Sequence, residues 1–229
     1  RIGFRSVLNN ASCIQVNSVL EYESVRKLGL NNPTCLISNG VTLPDLATSY
    51  SWPWSSIDQG RKVLLFLGRI DKKKGVDILL QAWKSIVQKG MNKDWHLVFV
   101  GFKNDGSKYE ESVKSYIEEN SLENTVACLE GKYGKEMEAC YQNCNAFVLP
   151  SFSEGASIAV LSAWAFSKPV IATDECGFPD AALNGCAIKI EPTKNSIQLG
   201  ISKCIEMNEL ERSAMGQKGF KLVTEKYSW

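Results

Sequence analysis

The stretch FVLPSFSEGASIAVLSAWAFSKPVIATDECGFPD, residues 147–180, decides the fold. It begins with an apolar run that breaks at Pro150, continues through a turn of Ser and Gly with one acid, Glu154, and then opens a helix of small and apolar residues. The start of such a helix carries unpaired N–H groups and a partial positive charge. The pattern predicts a strand, a turn and a helix whose first amides bind phosphate, while Glu154 accepts hydrogen bonds from hydroxyl groups.

A strand, a Gly-containing turn and a helix also occur in α/β sheets where the turn is only a connection and binds no ligand. A second segment of the sequence favours a ligand site. In KVLLFLGRIDKKKGVDILLQAW, residues 62–83, Val63 to Leu67 is typical of a buried parallel strand and Gly75 to Trp83 of an amphipathic helix. The loop between them holds Arg69 and Lys72 to Lys74. Basic residues there lie at the carboxyl edge of a sheet, where α/β folds bind ligands, and would neutralise a diphosphate. For Lys72 and Lys73 we favour solvated positions.

Strand-like and helix-like runs alternate over residues 61–229. The predicted strands are 63–67, 97–101, 126–129, 146–149, 170–172 and 187–190, and the predicted helices are 76–87, 107–119, 135–142, 158–166, 196–207 and 209–226. Alternation with short connections indicates βαβ units. The sequence therefore predicts an α/β fold with a Rossmann-like parallel sheet flanked by helices.

Composition excludes several classes of function. The 229 residues include 26 Lys and Arg against 25 Asp and Glu, which gives a formal charge of +1. Because positive and negative charges nearly balance, the chain has no overall positive potential that would attract nucleic acid, and no nucleic-acid partner is expected. A charged ligand must be recognised by a local group of charges. No apolar run approaches the ~20 residues that cross a bilayer, and no secretory signal opens the chain. We expect a cytoplasmic protein, with peripheral attachment at the inner face of the membrane left open.

The eight cysteines are scattered among apolar segments, which favours packed free thiols in a reduced core over a disulfide framework. Cys140 and Cys144 are four residues apart on a predicted helix, yet no CxxC pair or nearby histidine completes a zinc set. No metal site is expected. The only histidine, His96, has no local nucleophile motif beside it and is interpreted as structural.

Five segments together resemble the carboxyl-terminal, donor-binding domain of retaining GT-B glycosyltransferases of family 4, the glycosyl transferases group 1. They occur in that family's order and spacing. The segments are ISNGV at 37–41, GRIDKKKG at 68–75, LVFVG at 97–101, LEGKYGKEMEACYQNCNAFVLPS at 129–151 and SEGASIAVLSAWAFSKPVIAT at 153–173.

The resemblance assigns roles to particular residues. In the GRxxxxKG pattern it implies that Arg69 and Lys74, with Gly68 beside them, bind the diphosphate of a nucleotide sugar. Glu154, the first acid of the EGxxxxxxE pattern, would contact hydroxyls of the transferred sugar. The backbone amides of the next three residues would face the phosphates; these are Gly155, Ala156 and Ser157.

The remaining candidate contacts either depart from the family's pattern or also fit a structural role. The second acid of the EGxxxxxxE pattern is replaced by Ser162, about two helical turns and ~12 Å beyond Glu154. A serine makes one hydrogen bond to a ribose where a carboxylate accepts two, so ribose binding by Ser162 is weaker by ~1–3 kcal/mol unless another group substitutes. Tyr133 would either stack on the base or be an exposed loop residue. Asp174 and Glu175 are interpreted as loop acids whose backbone lies near the donor sugar.

The resemblance also implies a domain organisation and a reaction. Residues 1–43 would be the end of an amino-terminal Rossmann-like domain and the interdomain connection, residues 44–60 a linker or loop, and residues 61–229 the nucleotide-sugar-binding domain. The reaction would be transfer of a sugar, with retention, from a UDP-, GDP- or ADP-sugar to a saccharide or lipid-linked acceptor in polysaccharide or glycoconjugate biosynthesis. No cofactor is implied, and the isolated half is expected to be inactive without its partner domain. The alternatives are a non-catalytic nucleotide-sugar-binding module and a GT-B-like nucleotide-sugar epimerase.

Overall fold

A six-stranded parallel sheet flanked by helices forms the centre of the computed structural model, which confirms the predicted α/β, Rossmann-like fold. The structure describes residues 2–103, 105 and 107–229, with side chains from residue 5 onward. The strands are β1 Ile14–Val16, β2 Thr34–Leu36, β3 Lys62–Leu67, β4 Trp95–Phe102, β5 Val126–Glu130, β6 Ala146–Leu149, β7 Val170–Ala172 and β8 Ala187–Lys189. The helices are α1 Ile2–Asn9, α2 Val19–Lys27, α3 Val76–Gln88, α4 Lys108–Glu119, α5 Gly134–Asn143, α6 Ile158–Ala165, α7 Lys194–Glu206 and α8 Glu209–Lys226.

The strand order of the large sheet is β5-β4-β3-β6-β7-β8, and all neighbouring strands are parallel. Strands β3, β4 and β5 therefore extend from the middle of the sheet to one edge, and β6, β7 and β8 extend from the middle to the other edge. In open α/β sheets the ligand crevice lies outside the carboxyl ends of the strands at such a reversal. The order of the strands places that crevice beyond Leu67 and Leu149.

The middle of the sheet is the core of the protein. The four residues 146–149 of β6 and the residues 63–66 of β3 are all buried, as continuous apolar strands covered on both faces should be. Helix α3 turns its apolar face to this core through Leu79, Leu80 and Trp83. Helix α7 packs against α3, and α8 packs against α6.

The first forty residues form a separate small layer. Strands β1 and β2 pair with each other in parallel, and α2 runs between them. Residues 13–16 and 34–38 are typical of short strands and residues 20–28 of a helix that ends at Gly29, in agreement with β1, β2 and α2. No local pattern predicts α1. Ser18 caps α2 by accepting a hydrogen bond from the amide of Glu21. The segment is tied to the carboxyl-terminal end of the chain at Val41, whose amide donates to the carbonyl of Tyr227 at 2.8 Å.

Residues 44–60 contain no helix or strand, yet they are packed rather than free. Trp54 is completely buried and Ile57 nearly so, both within the main core. Trp52 contacts Trp54 edge to face at 4.8 Å between ring centroids, and its indole N–H donates to the carbonyl of Ile57 at 2.7 Å. This segment therefore contributes apolar area to the same core as β3 and α3.

We expect Trp54→Ala to lower the free energy of unfolding by ~3–5 kcal/mol, since it opens a large cavity in the core. Urea denaturation of the chain measures this loss. Trp229→Ala is the matched control, because that side chain is 84% exposed, and should change the free energy of unfolding by less than ~1 kcal/mol. Equal effects of the two substitutions would contradict a structural role for residues 44–60.

All eight cysteines are free thiols in the structure. The prediction of packed thiols is wrong for Cys13, which is exposed because it lies beside the short outer pair of strands rather than beneath the large sheet. Burial raises the pKa of Cys128, Cys140 and Cys176 to about 12, so these thiols stay protonated. Burial also lowers the pKa of His96, which keeps its ring neutral.

None of the helices in the described part of the chain is both long and apolar enough to span a membrane.

Candidate functional site

The loops that follow β3 and β6 meet at the reversal of strand order, although about 80 residues separate them in sequence. The loop after β3 holds Arg69 and Lys74, and the loop after β6 holds Glu154. The amide of Phe152 donates to the carbonyl of Lys73 at 2.8 Å, which joins the two loops directly. The two segments that sequence analysis singled out therefore form one wall of a single crevice.

Lys74 and Glu154 form an ion pair across these loops, with Lys74 Nζ against Glu154 Oε1. Their side chains are only 17% and 14% exposed. The same carboxylate oxygen accepts a hydrogen bond of 2.8 Å from the hydroxyl of Ser151, which is itself fully buried. Water has little access to the pair, so its charges are less screened than those of a surface pair. The ammonium and carboxylate groups are fixed side by side before any ligand binds.

The local backbone explains why Lys74 points into the crevice. Asp71 caps a single turn of 3-10 helix by accepting the amide of Lys73 at 2.8 Å. Gly75 ends this turn with φ 71°, a left-handed conformation that favours glycine. A Cβ at Gly75 would lie 2.3 Å from the carbonyl oxygen of Pro150. The glycine thus lets the β3 loop approach the β6 loop closely enough for the ion pair to form.

A third loop, after β7, holds the other side of the Glu154 turn. The amide of Glu154 donates to the carbonyl of Glu175 at 3.0 Å, and the hydroxyl of Thr173 donates to the carbonyl of Ser151 at 2.7 Å. The backbone of Glu175 therefore lies beside the turn, and its position near the donor sugar stays a prediction. Gly177 has φ 94° and packs so closely on the turn that a Cβ there would lie 2.1 Å from the carbonyl oxygen of Gly155.

The backbone amides at the start of α6 differ in their availability. The amide of Ser157 donates to the carbonyl of Cys176 at 3.0 Å, so it is already satisfied within the protein. The expectation that Ser157 presents its amide to a phosphate is therefore corrected; its hydroxyl instead caps α6 by accepting the amide of Val160. The amides of Gly155 and Ala156 have no acceptor among the described residues. These two remain the candidate anion donors.

Gly68 and Arg69 line an open cleft between the loops that follow β3, β4 and β5. The cleft has a volume of about 410 Å³. Arg69 is exposed, and Tyr133 stands at the opposite wall with 82% of its surface accessible. The cleft is lined by residues 67–69, 100–103 and 130–133. Arg69 and Tyr133 thus line the same cleft, and stacking of Tyr133 on a base stays a prediction.

Ser162 lies in α6, is partly buried and does not line this cleft. Its hydroxyl interacts with Tyr141 of α5, a fully buried residue whose pKa is raised by burial. The serine therefore has a structural neighbour in the present fold. The predicted hydrogen bond from Ser162 to a ribose stays a prediction.

Sequence analysis did not identify Ser151, Thr173 and Asn39 as parts of the site. Asn39 belongs to the ISNGV segment and donates from Nδ2 to the carbonyl of Ala156 at 2.6 Å. Each of the three supports the Glu154 turn, and the contacts of Thr173 and Asn39 join segments that are distant in sequence, so no local pattern reveals them. Among the described residues, no group of three or more His, Cys, Asp or Glu side chains is placed to hold a metal ion.

The family described as glycosyl transferases group 1 matches residues 53–222, which is more than half of the chain. The chain belongs to this family. The predicted resemblance is thus confirmed, and the two motifs that form the crevice, GRIDKKKG and SEGASIAVLS, both lie within the matched range of this group 1 glycosyltransferase chain.

Curated relatives agree with this assignment. The chain is 32% identical over 169 residues to the uncharacterized glycosyltransferase MJ1178 of Methanocaldococcus jannaschii, covering 72% of the chain and 44% of the relative. It is 32% identical over 168 residues to the capsular polysaccharide biosynthesis glycosyltransferase CapM of Staphylococcus aureus, covering 72% of the chain and 42% of the relative. The chain therefore spans less than half the length of these two relatives.

Solved glycosyltransferases share the fold. Sucrose-phosphate synthase from Thermosynechococcus elongatus superposes with a TM-score of 0.83 at 21% identity, covering all of this chain and 57% of the other. Anabaena Alr3699/HepE in complex with UDP-glucose gives a TM-score of 0.79 at 18% identity, covering 97% of this chain and 62% of the other. The group 1 chain thus has the GT-B architecture of these enzymes.

Proposed function

We propose that this chain is the donor-binding half of a retaining glycosyltransferase that transfers a sugar from a nucleotide diphosphate sugar to an acceptor. The observation that carries the proposal is the Lys74–Glu154 pair at the reversal of strand order, made by the same β3 loop whose Arg69 lines the cleft. One crevice thus offers cations for a diphosphate and a carboxylate for sugar hydroxyls. A nucleotide sugar carries both kinds of group in one molecule.

The charges act on the leaving group in this mechanism. As the bond between the sugar and the diphosphate breaks, negative charge grows on the phosphate oxygens. Arg69, Lys74 and the free amides of Gly155 and Ala156 would stabilise that charge more in the transition state than in the ground state. Because the groups are already positioned by the loops, little reorganisation is needed when the charge develops. Glu154 would orient the sugar ring by accepting hydrogen bonds from its hydroxyls.

The relatives support the substrate class. CapM is named for capsular polysaccharide biosynthesis, and HepE was solved with UDP-glucose. We therefore infer a role in polysaccharide or glycoconjugate biosynthesis, with a saccharide or lipid-linked acceptor and a UDP-, GDP- or ADP-sugar donor. We further propose that residues 1–43 end an amino-terminal Rossmann-like domain, that residues 44–60 connect it to the donor domain of residues 61–229, and that the acceptor binds to that partner domain. The separation of β1 and β2 from the six-stranded sheet supports this division.

Titration calorimetry of the chain with UDP, GDP and ADP tests the proposal. We expect one of the three to bind, and Arg69→Ala to weaken that binding by about 10- to 100-fold, because one charge-assisted contact to the diphosphate is worth ~1.5–3 kcal/mol. Binding should also weaken with added salt.

Arg61→Ala is the matched control for this titration. Arg61 is an exposed arginine that precedes β3, at the opposite edge of the sheet from Arg69. Its removal should leave nucleotide affinity within about twofold, because charges more than a Debye length of ~10 Å apart are largely screened. Absence of binding for all three nucleotides at millimolar concentration would instead favour a module that does not bind nucleotide sugars.

A further inference from the structure

Glu21 brings a second carboxylate to the Glu154 turn from a different part of the chain. It lies in the first turn of α2, where Ser18 Oγ accepts its backbone amide at 3.2 Å. Its Oε2 accepts the amide of Asn17 at 2.6 Å. The cap and this second hydrogen bond fix the position of the carboxylate, although the side chain is only partly buried.

The other carboxylate oxygen faces the backbone of the turn. Oε1 of Glu21 lies 2.6 Å from the point that a Cβ would occupy on Gly155, while Oε2 lies 3.7 Å from that point. Gly155 directly follows Glu154 in the sequence. The contact between Asn39 and the carbonyl of Ala156 holds the same turn against the amino-terminal layer. Residues from both layers thus border one short stretch of backbone.

The oxygen that faces the turn has no polar partner of its own. Within residues 5–103, 105 and 107–229, no Lys or Arg forms an ion pair with Glu21, and no hydrogen bond reaches its Oε1. A carboxylate only accepts hydrogen bonds and repels phosphate, so its natural ligand here is a hydroxyl group. The proposed donor carries such hydroxyls on its sugar, next to Glu154.

We propose that Glu21 is a specificity-determining residue that accepts a hydrogen bond from a hydroxyl of the donor sugar, so that carboxylates from two layers of the protein hold that sugar. This inference rests on the proposed function. It assigns a substrate contact to the amino-terminal layer, which contains neither the GRIDKKKG nor the SEGASIAVLS motif. Nucleotide alone should gain no hydrogen bond from Glu21, because the nucleotide lacks the sugar.

The test compares two affinities of the chain by calorimetry. The first ligand is whichever of UDP, GDP and ADP binds best. The second is its tightest-binding conjugate among those with glucose, galactose, mannose and N-acetylglucosamine. Glu21→Gln keeps an oxygen for the amide of Asn17 but turns an NH₂ group, a donor, toward the turn. We expect it to weaken binding of the sugar conjugate about 5- to 20-fold relative to binding of the nucleotide alone. Nucleotide affinity itself should not fall, because the substitution removes a negative charge near the proposed phosphate site.

Glu23→Gln is the control, because Glu23 is exposed on the same helix and removes the same charge. It should change neither affinity, and thermal melting should show that both variants are folded. Unchanged affinity of Glu21→Gln for the sugar conjugate would overturn the inference, as would a wild-type chain for which no sugar changes nucleotide affinity. Failure of all nucleotides to bind the wild-type chain is a separate result that counts against the proposed function itself.

Discussion

Lys74→Ala is expected to reduce the affinity of the chain for a nucleoside diphosphate by about 30- to 1000-fold, equivalent to ~2–4 kcal/mol, since it removes a positioned cation from a poorly solvated site. The same substitution leaves the Glu154 carboxylate without its cation, although only 14% of the Glu154 side chain is exposed to water. Ser151 still donates one hydrogen bond to that carboxylate. We therefore expect an additional loss of ~1–3 kcal/mol in the free energy of unfolding. Calorimetry and urea denaturation measure the two losses separately.

A double variant separates binding from stability at this pair. In Lys74→Ala with Glu154→Gln no buried charge is left unpaired, so most of the lost free energy of unfolding should return. Nucleotide affinity should stay low, because the cation is still absent. Lys73→Ala is the matched control: Lys73 is exposed and its contact with the site is made by its backbone carbonyl. A Lys74→Ala chain that binds nucleotide as tightly as Lys73→Ala would contradict the proposed role.

Gly75→Ala is expected to lower the free energy of unfolding by ~3–5 kcal/mol and to abolish nucleotide binding at concentrations that saturate the wild-type chain. Two effects add at this position. The residue has φ 71°, and a Cβ would lie 2.3 Å from the carbonyl oxygen of Pro150, which belongs to the backbone and cannot turn aside. The β3 loop must then move away from the β6 loop, and the Lys74–Glu154 pair must separate.

Gly90→Ala measures the effect of the left-handed backbone alone, so its difference from Gly75→Ala measures the effect of the clash with Pro150. Gly90 has φ 64°, close to that of Gly75, but a Cβ there would meet nothing within 4 Å. It should cost only the ~1–2 kcal/mol of a left-handed residue with a side chain and should leave nucleotide affinity unchanged. Similar losses of stability and binding in both variants would show that loop contact at Pro150 is not what holds the site together.

Local patterns predicted most of the regular structure. The buried strands β3 and β6 were recognisable because both faces of a parallel strand are covered, which requires a continuous apolar run. Helix α3 was recognisable from its amphipathic spacing. Helix α1 was missed, because it is eight residues long and has no acid in its first turn and no base in its last. The burial of Trp54 was also beyond local reasoning, since a turn-rich segment gives no periodicity to interpret.

The groups available at the site follow from the sequence alone: four cations in one loop, one carboxylate and a helix start in another, and glycines where the loops approach. Which of these groups come into contact depends on the tertiary structure. The reversal of strand order between β3 and β6 brings Lys74 to Glu154 across 80 residues. The β7 loop satisfies the amide of Ser157, and α2 delivers Glu21 to the same turn. The physical reason is that side-chain chemistry and local propensity are carried by neighbouring residues, whereas contacts between loops depend on how the whole sheet is ordered.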